Sequence, residues 1–162
     1  MPFPIDEVQA AVDSYLALRE RIEAGAASWS DLAELFTDDV VYVDPAWGRI
    51  EGIAELRRFL DESMRGLDDW RFPVDYTAVT GDTVVVKWTQ VLPGARAEGA
   101  PYVQSGYSTL VYAGDGRFCY EEDLLNMAHV VEDLATSGWR PPAGFVMPPT
   151  RPERDFSRPT RD

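Results

Sequence analysis

The first 65 residues place apolar side chains at helical spacing, whereas residues 70–125 place them on alternate positions. Val8, Val12, Tyr15, Leu16, Arg19 and Ile22 fall on one stripe, predicting a helix over 5–24 with Tyr15 near the centre of its buried face. Asp6 and Glu7 complement the helix dipole at its start, and Gly25 ends it. A shorter helix is expected over 28–35, capped by Ser28 or Ser30, with Trp29, Leu32, Leu35 and Phe36 on its buried side. Val40, Val41, Tyr42 and Val43 are β-branched or aromatic and read as a short strand buried on both faces. Pro45 ends that strand and holds Asp44 extended. A third helix, over 51–65, carries Ile53, Leu56, Phe59, Leu60 and Met64 on one side and stops at Gly66.

The second half reads as strands. Trp70, Phe72, Val74 and Tyr76 alternate with Arg71, Pro73, Asp75 and Thr77. Past the turn Thr80-Gly81-Asp82, Val84, Val86 and Trp88 alternate with Thr83, Lys87 and Thr89. A loop over 93–101, a strand over 102–112, a turn at 113–116, a strand over 117–125 and a helical piece over 127–134 complete the series. The expected fold is α+β: a cone-shaped, barrel-like domain in which a curved antiparallel sheet wraps three helices of the N-terminal half. The helices cannot fill the concave side of such a sheet, so a pocket is expected there.

Composition changes at Gly138. The expected domain spans 1–137, and 138–162 is a tail holding six of the twelve prolines and five arginines against three acids. It is expected to be extended or disordered unless it packs on its own domain or a partner, with Phe145, Val146 and Met147 as the docking point. A basic tail could also lie against the acidic body.

The whole chain carries a formal charge of −13, which argues against nucleic acid and anionic membranes as partners. One cysteine, Cys119, leaves no intramolecular disulfide and no cysteine-based metal cluster, so a reducing cytoplasm is the expected setting. The start, MPFPIDEVQ, lacks a signal-peptide pattern, and no stretch approaches the roughly 20 apolar residues of a membrane span.

Asp44 is the first candidate for chemistry. A carboxylate among apolar neighbours either caps a turn at the strand end or acts as a base with a raised pKa. Tyr15 is either core with its hydroxyl at an edge or a donor across the cavity from Asp44. On the last strand Cys119, Glu121, Asp123 and Leu125 share one face, and Phe118, Tyr120, Glu122 and Leu124 the other. If the first set faces the concavity, two carboxylates enter the pocket and raise one another's pKa; otherwise they form a solvated acidic edge. Gln104 and Ser108 share a face on the preceding strand, and an outward Lys87 sends Trp88 and Gln90 inward. Trp88, Phe59 and Trp47 would supply apolar wall. His129 reads as a surface residue, and no metal site can be assembled around it.

The segment LFTDDVVYVDPAWG followed by EGIAELRRFLDESM, together with the element order, resembles the nuclear transport factor 2-like superfamily over roughly 5–134. Within it, the chain is most similar to SnoaL-like polyketide cyclases, ketosteroid isomerases and limonene-epoxide hydrolases. The isomerase resemblance implies that Asp44 is a general base and Tyr15 an oxyanion donor. The aspartic acid that completes the isomerase oxyanion hole falls near Ser108, beside Tyr107. The hydrolase resemblance places a late-strand pair on Asp123 and Asn126, but the arginine and aspartate of an earlier strand fall near Trp88 and Gln90. The cyclase resemblance implies acid–base work by Asp123 or Glu121. Together these imply a cofactor-free, metal-free enzyme acting on a hydrophobic carbonyl-bearing molecule, homodimeric through its outer sheet face. Alternatively, the fold is a non-catalytic binding or dimeric interaction module.

Overall fold

A computed structural model of the chain describes residues 2–160. Helix α1 (Ile5–Glu23) is followed by a 3-10 helix (Trp29–Leu35), whose start is closed by the Ser28 amide donating to Asp31. Strands β1 (Phe36–Asp44) and β2 (Gly48–Glu51) form a hairpin, and helix α2 spans Ile53–Met64. Strands β3 (Val74–Thr80), β4 (Thr83–Ala95), β5 (Pro101–Gly114) and β6 (Arg117–Leu125) precede helix α3 (Met127–Ser137).

The six strands run in the order β2-β1-β6-β5-β4-β3. Neighbours are antiparallel except β1 and β6, which are parallel, so the sheet is mixed. It curves around α1, α2 and the 3-10 helix without closing into a barrel, and the main core fills the concave side. Among the described residues no helix is long and apolar enough to cross a membrane.

Three local features depart from the expected pattern. Glu51, the expected helix start, instead ends strand β2, GRIE; four residues on a sheet edge carry too little alternation to reveal a strand. Strand β1 starts before the expected Val40, so Asp38 and Asp39 lie within it, where the pairing to β6 shifts. The third feature is a pair of bulges. On β3, Asp75 is an extra residue between Val74 (opposite Trp88) and Tyr76 (opposite Lys87). Tyr76 therefore leaves the face of Trp70, Phe72 and Val74 and becomes 55% exposed. On β6, Cys119 is extra between Phe118 and Tyr120. Phe118 then joins the main core, while Cys119 packs on the outer face with Val41, Val43, Val111 and Tyr120. Cys119 thus does not share a face with Glu121.

Residues 138–160 form no helix or strand but lie against the domain. Phe145 and Val146 contribute to the wall of the central cavity, whereas Met147 is 72% exposed. Arg49 of the body fastens the tail by donating to the Asp155 and Ser157 carbonyls.

Candidate functional site

After its bulge, β6 turns Glu121 and Asp123 onto the concave face, two residues apart. The parallel register sets Tyr42 of β1 beside Glu121, and the antiparallel register sets Ser108 of β5 beside Asp123. Helix α1 brings Tyr15 down from the other side. The Tyr15 hydroxyl donates to Glu121 Oε1 at 3.1 Å, and Arg19, one turn on, donates to the Tyr15 oxygen at 3.2 Å. The Tyr42 hydroxyl donates to Asp123 Oδ2 at 2.5 Å and lies 3.4 Å from Glu121 Oε1. Ser108 donates to Asp123 Oδ1 at 2.5 Å and accepts the Trp88 indole N–H at 3.0 Å. That last bond depends on Gly106: any Cβ there would stand 2.5 Å from the Trp88 ring, so the indole lies flat only because the position is bare.

The floor of the cavity is therefore two buried carboxyls within one network. Glu121 is 2% exposed, and its pKa is held well above the carboxylate range, first by burial and then by repulsion from Asp123. Arg19 and the Tyr15 bond oppose this without cancelling it. Asp123 is also raised by burial, against the pull of the Ser108 and Tyr42 hydroxyls. Tyr15 and Tyr42 are pushed up in turn, so both remain neutral donors. Two polar atoms in this network, Glu121 Oε2 and Arg19 Nε, are buried with no hydrogen-bond partner among the described residues.

Asp44 stands apart, partly exposed at the cavity mouth. Its Oδ1 accepts the amides of Ala46 (2.7 Å) and Trp47 (2.8 Å), an Asx turn that closes the β1–β2 connection. Burial, then the charge of Asp123, pushes its pKa up to about 7, although the two amide bonds pull it down. It does not pair with Arg49, which binds Glu51.

Tyr15, Asp44, Trp47, Phe59, Trp88, Gln90, Ser108, Glu121 and Asp123 all line one cavity of about 220 Å³. Gln104 stands behind it: its Oε1 accepts from Gln90 Nε2 (2.8 Å) and its amide donates to Asp133 of α3 (2.6 Å). Sequence reasoning missed two members. Tyr42 belongs to a strand expected to be buried on both faces, yet it lies two positions from Asp44 and shares its face. Arg19 falls on the expected apolar stripe, yet its place one turn from Tyr15 brings the two heads together. Among the described residues no group of three or more His, Cys, Asp or Glu is arranged to hold a metal ion.

A family profile for the SnoaL-like domain matches residues 16–121. Among solved structures, one assigned to the SnoaL-like polyketide cyclases, from Jannaschia sp., is 19% identical. The match covers 82% of this chain and 94% of that one, with a TM-score of 0.62. A protein of ketosteroid isomerase-like fold from Catenulispora acidiphila, solved with trimethylamine, is 20% identical over 71% of this chain and 88% of its own, at a TM-score of 0.56. An NTF2-like protein from Anabaena variabilis is 15% identical over 78% and 94%, at 0.60. A comparison with curated proteins finds no match.

Proposed function

The chain belongs to the SnoaL-like domain family, and from that premise and the geometry of its cavity we propose that it is a cofactor-independent acid–base enzyme. Its substrate would be a hydrophobic molecule with an acidic carbon next to a carbonyl. The observation that carries this reading is one aromatic-walled cavity holding three carboxyls, Asp44, Glu121 and Asp123, whose pKa values burial has raised.

Asp44 is the base. A pKa near 7 leaves it about half ionised at neutral pH, where a proton-transfer group works best. It takes the proton of the acidic carbon, and the electrons of that C–H bond move into the carbonyl to form an enolate. Neutral Glu121 donates to the enolate oxygen, backed by the chain Arg19 to Tyr15 to Glu121. Tyr15 thus acts through Glu121 and not directly, because its own proton is already engaged. Asp44 then returns its proton to carbon, which restores the base; Asp123, whose two oxygens accept from Ser108 and Tyr42, is the second acid–base candidate.

The rival reading, a non-catalytic binding module, draws support from the Asx turn, which gives Asp44 a purely structural task. Exchange of α-hydrogens for deuterium in a panel of aromatic ketones, followed by NMR, separates the two. The enzyme reading expects exchange that Asp44→Asn lowers by about 10²–10⁴-fold. Exchange unchanged in Asp44→Asn overturns the base assignment.

A homodimer through the outer sheet face belongs to the same proposal. Tyr76, Val103, Tyr107 and Leu124 are exposed there. Light scattering on Leu124→Glu should report a monomer if the native chain is a dimer.

A further inference from the structure

The cavity is closed on one side by a segment outside the SnoaL-like match. Beyond α3 the chain crosses the mouth from rim to rim. At one rim, Trp139 meets Trp70 edge-on at 5.4 Å and Phe145 meets Trp139 at 5.5 Å. Pro142 sits so close to Gly66, just past α2, that a Cβ there would stand 2.6 Å from its ring. At the other rim, Gly48 ends the turn that carries Asp44, and a Cβ on it would stand 2.5 Å from the Glu153 carbonyl oxygen. Two bare backbone positions, one at each rim, are thus filled by the same segment. Between them Phe145, Val146 and Pro148 face the cavity.

The far end is fastened by hydrogen bonds. The Arg49 amide donates to Glu153 O (2.9 Å), and its guanidinium donates to Asp155 O (3.1 Å) and Ser157 O (2.8 Å). The Tyr120 hydroxyl donates to Phe156 O at 2.7 Å. Arg49 is 13% exposed and adjoins the Asp44 turn, so the fastening and the candidate base share one rim.

We propose that residues 139–157 are a strap forming the outer wall of the substrate pocket, and that Phe145 and Val146 set the size of what it admits. Arg49 is the positioning residue that holds the strap. The proposal rests on reading the cavity as a substrate pocket and deepens it by naming the substrate class. With the strap in place the cavity measures about 220 Å³, below the roughly 300–1,000 Å³ of pockets for drug-sized ligands. A one- or two-ring aromatic carbonyl compound fits that space, and Trp47, Phe59 and Trp88 give it an aromatic wall. A four-ring compound does not fit unless the strap moves.

The test is binding of two probes to the full chain by tryptophan fluorescence: the two-ring ketone 2-tetralone and a four-ring steroid 3-ketone. The native chain should bind the two-ring probe at least tenfold more tightly. In the double variant Phe145→Ala, Val146→Ala the two-ring probe should bind more weakly and the four-ring probe more tightly, moving the ratio at least tenfold. Arg49→Met, which leaves the wall residues intact, should move it the same way by at least threefold. A ratio unchanged in both variants overturns the proposal. So does tighter binding of both probes, which would make the strap a plug in place of a wall. The readout is independent of turnover. A ratio that moves as expected in a chain without exchange activity removes the enzyme reading and keeps the wall; an unmoved ratio in an active chain does the reverse.

Discussion

The mouth and the floor of the cavity solve the same problem by different means. At both, a carboxyl sits where burial disfavours its charge. At the mouth, Asp44 is held by two backbone amides of its own turn and, among the described residues, by no side chain. On the floor, Glu121 and Asp123 are held by hydroxyls from three separate elements, α1, β1 and β5. The local arrangement leaves Asp44 free to change charge with little rearrangement. The floor is a shared network in which each carboxyl accepts from more than one hydroxyl. Titration belongs at the mouth, and fixed hydrogen-bond donation on the floor.

Replacing Asp44 breaks that contrast most sharply. Asp44→Asn keeps the Asx turn, because the amide oxygen still accepts, but removes the base. The loss of exchange activity should therefore come without unfolding. Stability should move the other way. The folded pKa of about 7 lies above the ordinary 3.8, so the native group holds its proton more tightly than the unfolded chain does. Its contribution is fully present below about pH 4 and is lost as pH rises to 7. Asp44→Asn should thus be more stable than the native chain at pH 8, by roughly 2–4 kcal/mol, and match it at pH 4. Paired thermal melts at the two pH values read this directly.

Glu121 sharpens the contrast from the floor. Glu121→Leu leaves the Tyr15 hydroxyl without its acceptor in a dry site, and should cost about 1–3 kcal/mol. Glu121→Gln preserves a neutral acceptor and should cost less than about 1 kcal/mol at pH 7. Denaturant melts that rank the two equally would mean that Glu121 works as a charge and not as a neutral group.

Ser108→Ala is expected to have the smallest effect. It removes one donor to Asp123 and the acceptor of the Trp88 indole, at about 1–2 kcal/mol by chemical denaturation. The Asp123 pKa should also rise further, since that hydroxyl holds it down. A fall would contradict the network.

The same division explains what could be read from the chain. Element order and the pairing of Glu121 with Asp123 on one face follow from periodicity, because a strand's parity fixes which side chains share a face, but parity alone left open which face of the last strand turns inward. The bulges at Asp75 and Cys119 are invisible to that logic. One extra residue resets parity, sending Tyr76 outward and Phe118 inward, and nothing in the residue types marks it. The network around Tyr15 was half legible. The tyrosine stood out on its stripe, but its proton goes to Glu121, more than 100 residues away, and such a pairing has no local signature. The strap was the least legible, because a proline-rich segment has no period from which to read a docking face. Its fit lies in two glycines of the body it crosses, Gly48 and Gly66.

The central claim is that Asp44 is a proton-transfer group poised near neutrality. Carbon-13 NMR titration of aspartate side-chain carboxyls, with Asp44 assigned from the signal missing in Asp44→Asn, tests it most directly. The account predicts a midpoint of about 7 for Asp44. A midpoint near the ordinary 3.8 would contradict it and leave Asp44 as the cap of its own turn.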